Sequence, residues 1–242
     1  MKRLRLDDLW TQHCQIETVD PSGLPEPVRR YVAHACPTPI LKVGAVRLRM
    51  TGEMKLKTWC PFTAEQVIHA KRGMIWEART KMAGLPVSGF DRIVDDEGAM
   101  CWKILGLVPI IRAEGKDVTR SAAGRMFGEL TWLPSALLET GVTWQALAED
   151  RIRAVSKVAG IDVALDLEID PAGRVLSASS DRWGNPDGAY SMGRFGVIVE
   201  DEATFGGFTI PSKIRAGWRY GSEAFESQGV FFKANILEAE FR

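Results

Sequence analysis

Between Val46 and Lys57 greasy and polar side chains alternate strictly. Val46, Leu48, Met50, Met54 and Leu56 fall on even positions; Arg47, Arg49, Thr51, Glu53, Lys55 and Lys57 fall on odd ones. Successive side chains of a strand point to opposite faces, so this run predicts a strand with one face buried and the other wet. Gly52 interrupts it. One reading is a single long strand with a bend or bulge; the competing one is a hairpin across Thr51-Gly52.

The same period recurs. Met74, Trp76, Ala78 and Met82 oppose Glu77, Arg79 and Lys81, and Ile161, Val163, Leu165, Leu167 and Ile169 oppose Asp162, Asp166, Glu168 and Asp170. Asp170-Pro171-Ala172-Gly173 has the residues of a tight turn, and 174–183 returns as a partner strand. Ile214, Ala216, Trp218 and Tyr220 oppose Lys213, Arg215 and Arg219, and 230–237 reads as a last strand. With weaker candidates at 62–70, 87–94, 99–105 and 195–205, the tally is about nine or ten strands. Short turns between them favour antiparallel pairing.

Two regions depart from this period. The first 36 residues read as helical: Leu4, Leu6, Leu9 and Trp10 precede a break at Asp20-Pro21-Ser22-Gly23, and Val28, Tyr31, Val32 and Ala35 have helix spacing. Within 116–139, Val118, Ala122, Met126, Leu130 and Leu133 have helix spacing too, followed by an apolar stretch around Trp132-Leu133-Pro134. The expected fold is therefore mostly β. A long curved antiparallel sheet or half-open barrel would have its concave side covered by the N-terminal helices and a central helix. Without a low-complexity linker or repeat, 1–242 reads as one domain: a helical segment 1–40, strands over 41–115, helix and apolar loop over 116–139, and strands over 140–242.

Charge and motifs narrow the function classes. Lys+Arg and Asp+Glu are both 31, so no net field draws the chain to polyanions, and nucleic acid is not an expected partner. Cys14, Cys36, Cys60 and Cys101 form no CxxC pair. A zinc site from His13, Cys14, His34 and Cys36 fits no usual ligand spacing, so neither metal nor cofactor is expected. MKRLRLDDLW lacks the apolar core of a secretory signal, and there is no 18-residue apolar run. The expected location is the cytoplasm with reduced thiols, although a chain whose export signal had been removed would read the same way. GxSxG, P-loop, HExxH and GxGxxG motifs are all absent.

Eight tryptophans stand out. Their indoles line pockets as readily as they fill cores. Trp76, Trp102, Trp132, Trp183 and Trp218 are the candidate ligand-binding aromatics. Arg182, beside Trp183, and Arg215, near Trp218, are candidate clamps for an anionic head. Glu129 lies near Trp132 in an apolar stretch. It could act as a general acid or base there, or be an ion-pair partner of Arg125 four residues earlier.

The segments LPEPVRRYV (24–32), WKILGLVPII (102–111), LTWLPSALL (130–138), SDRWG (180–184) and FTIPSKIRAGW (208–218) together resemble an uncharacterised bacterial family known as a domain of unknown function. In architecture the chain also resembles the open β-barrel of lipoprotein carriers, which implies an acyl-chain site on the concave face. Three functions stay open. The first is a binding module for a small hydrophobic or amphipathic ligand. The second is an enzyme that uses Glu129 on such a molecule, and the third is an interaction module presenting Trp and Phe to a partner chain. Oligomeric state is not readable.

Overall fold

The computed structural model describes residues 4–10 and 17–242. The helical expectation at 11–16, with His13 and Cys14, falls outside them. Helix α1 (Leu6–Trp10) is followed by a short strand β1 (Glu17–Thr18), helix α2 (Glu26–Ala35) and β2 (Leu41–Lys42), which pairs with β1. The main sheet then starts: β3 (Ala45–Lys55), β4 (Trp59–His69), β5 (Gly73–Met82), β6 (Leu85–Val94), β7 (Glu97–Ile104) and β8 (Val108–Glu114). Helix α3 (Lys116–Glu129) and two 3-10 turns lead to β9 (Thr143–Ala146), β10 (Arg151–Val158), β11 (Ile161–Ile169), β12 (Val175–Gly184), β13 (Ser191–Phe205), β14 (Phe208–Trp218) and β15 (Val230–Phe241).

These strands form one antiparallel sheet of 13, ordered β8-β7-β6-β5-β4-β3-β15-β14-β13-β12-β11-β10-β9. The last strand closes the chain by pairing with the first long one, β15 with β3. The count exceeds the nine or ten expected. β8, β9 and β10 are the additional strands: β8 is a solvent-exposed edge of consecutive apolar residues, β9 has only four residues, and Val155 and Ser156, each on the opposite phase from its type, blur the alternation of β10.

Gly52 does not mark a hairpin, because β3 runs unbroken through it. A Cβ there would lie 1.9 Å from the Lys233 carbonyl oxygen and 2.9 Å from the Phe62 ring. The glycine permits close approach of β15 inside one long strand.

Sheet and helix define the concave side together. Helix α3 packs on β6, β7 and β8 and also on β10, β11 and β12, strands far apart in the sheet order. Only a sheet curled around the helix satisfies both sets of contacts, which makes the fold a half-barrel. Two close approaches seat α3. A Cβ on Gly98 of β7 would stand 2.5 Å from the Thr119 Cα, and one on Gly124 of α3 would stand 3.1 Å from the Arg182 Cγ of β12.

The helical cover differs in one respect from expectation. Val28, Tyr31, Val32 and Ala35 bury one face of α2 in the same core as the concave residues Leu48, Ile68, Leu167 and Ile210. By contrast, α1 packs Leu6, Leu9 and Trp10 on Ala45, Val67, Ile75 and Val94, a separate cluster. Those strand residues are one step out of phase with Val46, Ile68 and Met74, so α1 covers the convex face. Among the described residues no helix is long and apolar enough to cross a membrane.

If Gly98 seats α3, Gly98→Ala should cost about 1–3 kcal/mol through overpacking against helix backbone. Urea unfolding of the two proteins measures it. A change below about 0.5 kcal/mol, the ordinary range for a surface position, would contradict the seating.

Candidate functional site: a cavity between the curled sheet and the central helix

Across the concave face the wall is unevenly packed. On β3, Leu48 and Met50 are buried completely or nearly so. On β13, hydrogen-bonded on both sides, Phe195, Val197 and Val199 share the concave face but are only half-buried. Apolar side chains of an interior strand stay partly open only where nothing fills the space before them.

That space is a cavity of about 420 Å³, within the size range of small-molecule sites. Trp76, Trp102, Trp132 and Phe232 supply ring surface, and Val87, Leu165, Val175, Ala178, Ile214 and Ala216 supply aliphatic surface. Its exposed lining residues are Lys55, Leu56, Ile110 and Ile111, which form the outer rim. The indoles are oriented by hydrogen bonds: Trp102 Nε1 donates to Asp91 Oδ1 at 3.0 Å, and Trp132 Nε1 to the Pro211 carbonyl at 3.0 Å.

One charged cluster interrupts this apolar wall. Arg125 of α3 donates from Nη1 to Asp91 Oδ2 at 2.8 Å and from Nε to Glu129 Oε1 at 2.7 Å. The amide of buried Gln66 donates to the other Glu129 oxygen at 2.6 Å, and the guanidinium lies 5.1 Å from the Trp76 ring centre. Burial alone would lower the Arg125 guanidinium, but Glu129 and Asp91 outweigh it and hold it above its ordinary value. Both Glu129 oxygens are thus engaged, as the ion-pair reading requires. Trp76 Nε1 and Gln66 Oε1 are buried next to the cluster with no partner among the described residues, and an unmet buried polar atom costs about 1–3 kcal/mol.

Arg182 enters the cavity from β12. Its Nε donates to the Ser121 carbonyl at 3.3 Å, and its guanidinium covers the Phe195 and Trp218 rings at 4.8 and 5.5 Å. No carboxylate pairs with it among the described residues. Burial pushes it down to about 10, with the nearby Arg125 charge acting in the same direction; it remains a cation at neutral pH.

Of the residues singled out in the sequence, Trp76, Trp102, Glu129, Trp132 and Arg182 therefore meet around one cavity. Trp183, Arg215 and Trp218 do not line it. Neighbouring strand residues face opposite ways, which separates Arg182 from Trp183. Trp183 stacks on Tyr190 outside, with Arg120 over its ring and its indole N–H on Asp117. Arg215 turns to the convex side and pairs with Glu200 and Glu226. Trp218 shares the concave face with its cross-strand partner Phe195, edge-on to it, but its ring lies over Gly184 and Gly193 rather than on the cavity. Sequence reasoning missed Gln66, Asp91 and Arg125 as members of the polar cluster at the cavity. Alternation could have found the first two, since each falls in phase with an inward neighbour: Gln66 with Ile68, and Asp91 with Ile93.

Of the residues weighed for a zinc site, His34 and Cys36 are described, and they do not meet. His34 Nε2 sits 3.0 Å from Glu202, and the Cys36 thiol is pushed up to about 12 by burial. Among the described residues no cluster could hold a metal ion.

Fold and cavity together define an antiparallel half-barrel curled around one helix and open at its rim. The chain belongs to a family of unknown function, DUF6544, which matches residues 15–228. No curated protein sequence matches it. Among solved structures it is similar to a domain named for outer membrane lipoprotein sorting from Vibrio parahaemolyticus, at 8% identity and TM-score 0.47, covering 82% of this chain and 86% of that one. It is also similar to a LolA superfamily protein from Nitrosomonas europaea, at 10% identity and TM-score 0.46, with coverages of 89% and 92%. A DUF1329 family protein from Desulfovibrio piger matches at 8% identity and TM-score 0.48, with coverages of 89% and 90%.

Removing Arg125 as Arg125→Met leaves two carboxylates facing apolar rings without their cation. The expected loss is about 2–4 kcal/mol at neutral pH, below that of a fully buried pair because the cluster is partly solvated. It should shrink when Asp91→Asn and Glu129→Gln are added, because neutral amides cost less to bury than unpaired carboxylates. Denaturant unfolding of these variants is the check, and an undiminished loss would contradict this role.

Proposed function

We propose that the protein is a binding module for a small hydrophobic or amphipathic molecule held on the concave face. The observation that carries this reading is the half-open apolar wall of Phe195, Val197 and Val199 on an interior strand. Burying such surface under a ligand gains roughly 25 cal/mol per Å², and among the described residues no side chain takes that place.

Arg182 sets the polar end in this reading. A carboxylate or phosphate head would meet its guanidinium, and the unpartnered Trp76 N–H adds a second donor on the same cavity. The ligand class is therefore an amphiphile with one anionic head and an apolar body. Asp91 and Glu129 stay tied to Arg125 and leave Arg182 as the inner cation open to such a head, with Lys55 at the outer rim.

Solvent extraction of the purified protein followed by mass spectrometry should release an amphiphile. Titration with oleate should change tryptophan emission, and Val197→Phe, which puts a ring into the open space, should abolish that change while the protein stays folded. Arg182→Met should weaken oleate about tenfold or more while sparing oleyl alcohol, as expected for loss of a charged hydrogen bond. An empty extract together with no emission change for either ligand would sink the proposal.

A further inference from the structure

The apolar side chains left in solvent are concentrated at one end of the sheet. Antiparallel connectivity brings the β3–β4, β5–β6 and β7–β8 turns to the same end. They carry Leu56, Leu85, Leu105, Leu107 and Val108, with Leu107 78% exposed, Val108 59% and Leu105 57%. The edge strand β8 extends the patch through Ile110 and Ile111, which also rim the cavity.

Charge on these three hairpins has one sign, whereas the neighbouring β14–β15 loop carries Glu223 and Glu226, the latter paired with Arg215. Lys55, Lys57, Arg79, Lys81, Lys103 and Arg112 are all exposed beside the patch, and no acidic residue occurs within 54–64, 78–90 or 98–113. Lys55, Lys57, Lys81 and Lys103 make no ion pair among the described residues. A chain with net charge zero has thus gathered unpaired cations around its exposed leucines. Leu105 adds an independent sign. Its φ of 53° lies in the left-handed region, where a leucine is strained and Gly or Asn is the ordinary choice. A strained, solvent-exposed leucine gains nothing for the isolated fold, and such conflicts mark functional positions.

We propose that these three hairpin tips dock on an anionic lipid bilayer, the leucines entering the interface while the lysines meet lipid phosphates around them. An apolar tip within a lysine ring combines the two forces that hold proteins at such surfaces. A protein partner with an acidic rim would match the charge, but the cations and apolar side chains are spread over three separate hairpins, an arrangement that a fluid anionic surface meets without a fixed register. Docking would set the cavity rim against the bilayer. It does not depend on what the cavity holds, so it can stand or fall separately from amphiphile binding.

The test is sedimentation of the full chain with vesicles of phosphatidylcholine containing phosphatidylglycerol, compared with phosphatidylcholine alone. Binding is expected only to the former, and 1 M salt, with its Debye length of about 3 Å, should weaken it. Lys57→Glu with Lys81→Glu should weaken it by at least about 25-fold, given about fivefold per lysine at an anionic surface. Leu105→Asn with Leu107→Ser should weaken it roughly tenfold or more while leaving thermal stability equal or higher, because Asn tolerates the left-handed backbone. No sedimentation with the anionic vesicles would overturn the proposal, as would variants that bind like the parent. So would light scattering that finds a dimer broken by the leucine substitutions, since a second copy would then be the occupant.

Discussion

Helix α3 wedged between β7 and β12 is the contact on which the shape of the protein depends. A 13-stranded antiparallel sheet twists, and without closure it presents two edges and one very large apolar face. Here the sheet curls until strands from both halves touch the same helix. Gly98 lets β7 reach helix backbone, and Gly124 lets the stem of Arg182 lie against the other side. The helix also acts as a spacer. Its bulk near β7 and β12 holds the two walls apart, so β13 keeps an open apolar face instead of collapsing onto β5 and β7.

Charge placement follows from that spacer. A polar cluster in a greasy cavity is tolerable only if its members satisfy one another, and Arg125 serves Asp91 from β6 and Glu129 from its own helix in one fork. The cluster links helix to sheet at the point where both face the cavity. Arg182, left outside that arrangement, gives the inner cavity an unpaired positive charge among the described residues. Under the proposed function it would receive the polar half of an amphiphile, and the β13 wall the apolar half.

Much of the architecture was legible because alternation along β3, β5, β11 and β14 is a direct imprint of one buried face. It failed where a strand lacks that asymmetry. β8 exposes nearly every residue, so its run Val108-Pro109-Ile110-Ile111 carries no period. The site was legible in part. Trp76, Trp102, Trp132, Glu129 and Arg182 are recoverable as aromatic and charged residues in apolar context. Pairing Arg182 with Trp183 ignored that adjacent strand residues face apart; the rings that Arg182 does cover are Phe195 and Trp218, the latter 36 positions away in sequence and brought close by the β12-β13-β14 pairing. Long-range register decides such meetings, and local pattern does not encode it. Helix α1 went to the convex face for a similar reason: Ala45, Val67, Ile75 and Val94 are apolar residues on the nominally wet side, an exception to alternation that only a packed helix explains.

The most direct measurement of the central claim is a crystal structure of the protein as purified, without added ligand. The account expects α3 seated on Gly98 and Arg182, the walls held apart, and elongated density beside Phe195, Val197 and Val199. A structure in which Trp102, Trp132 and Phe232 close over those three side chains, leaving no space between β13 and the opposite wall, would contradict it.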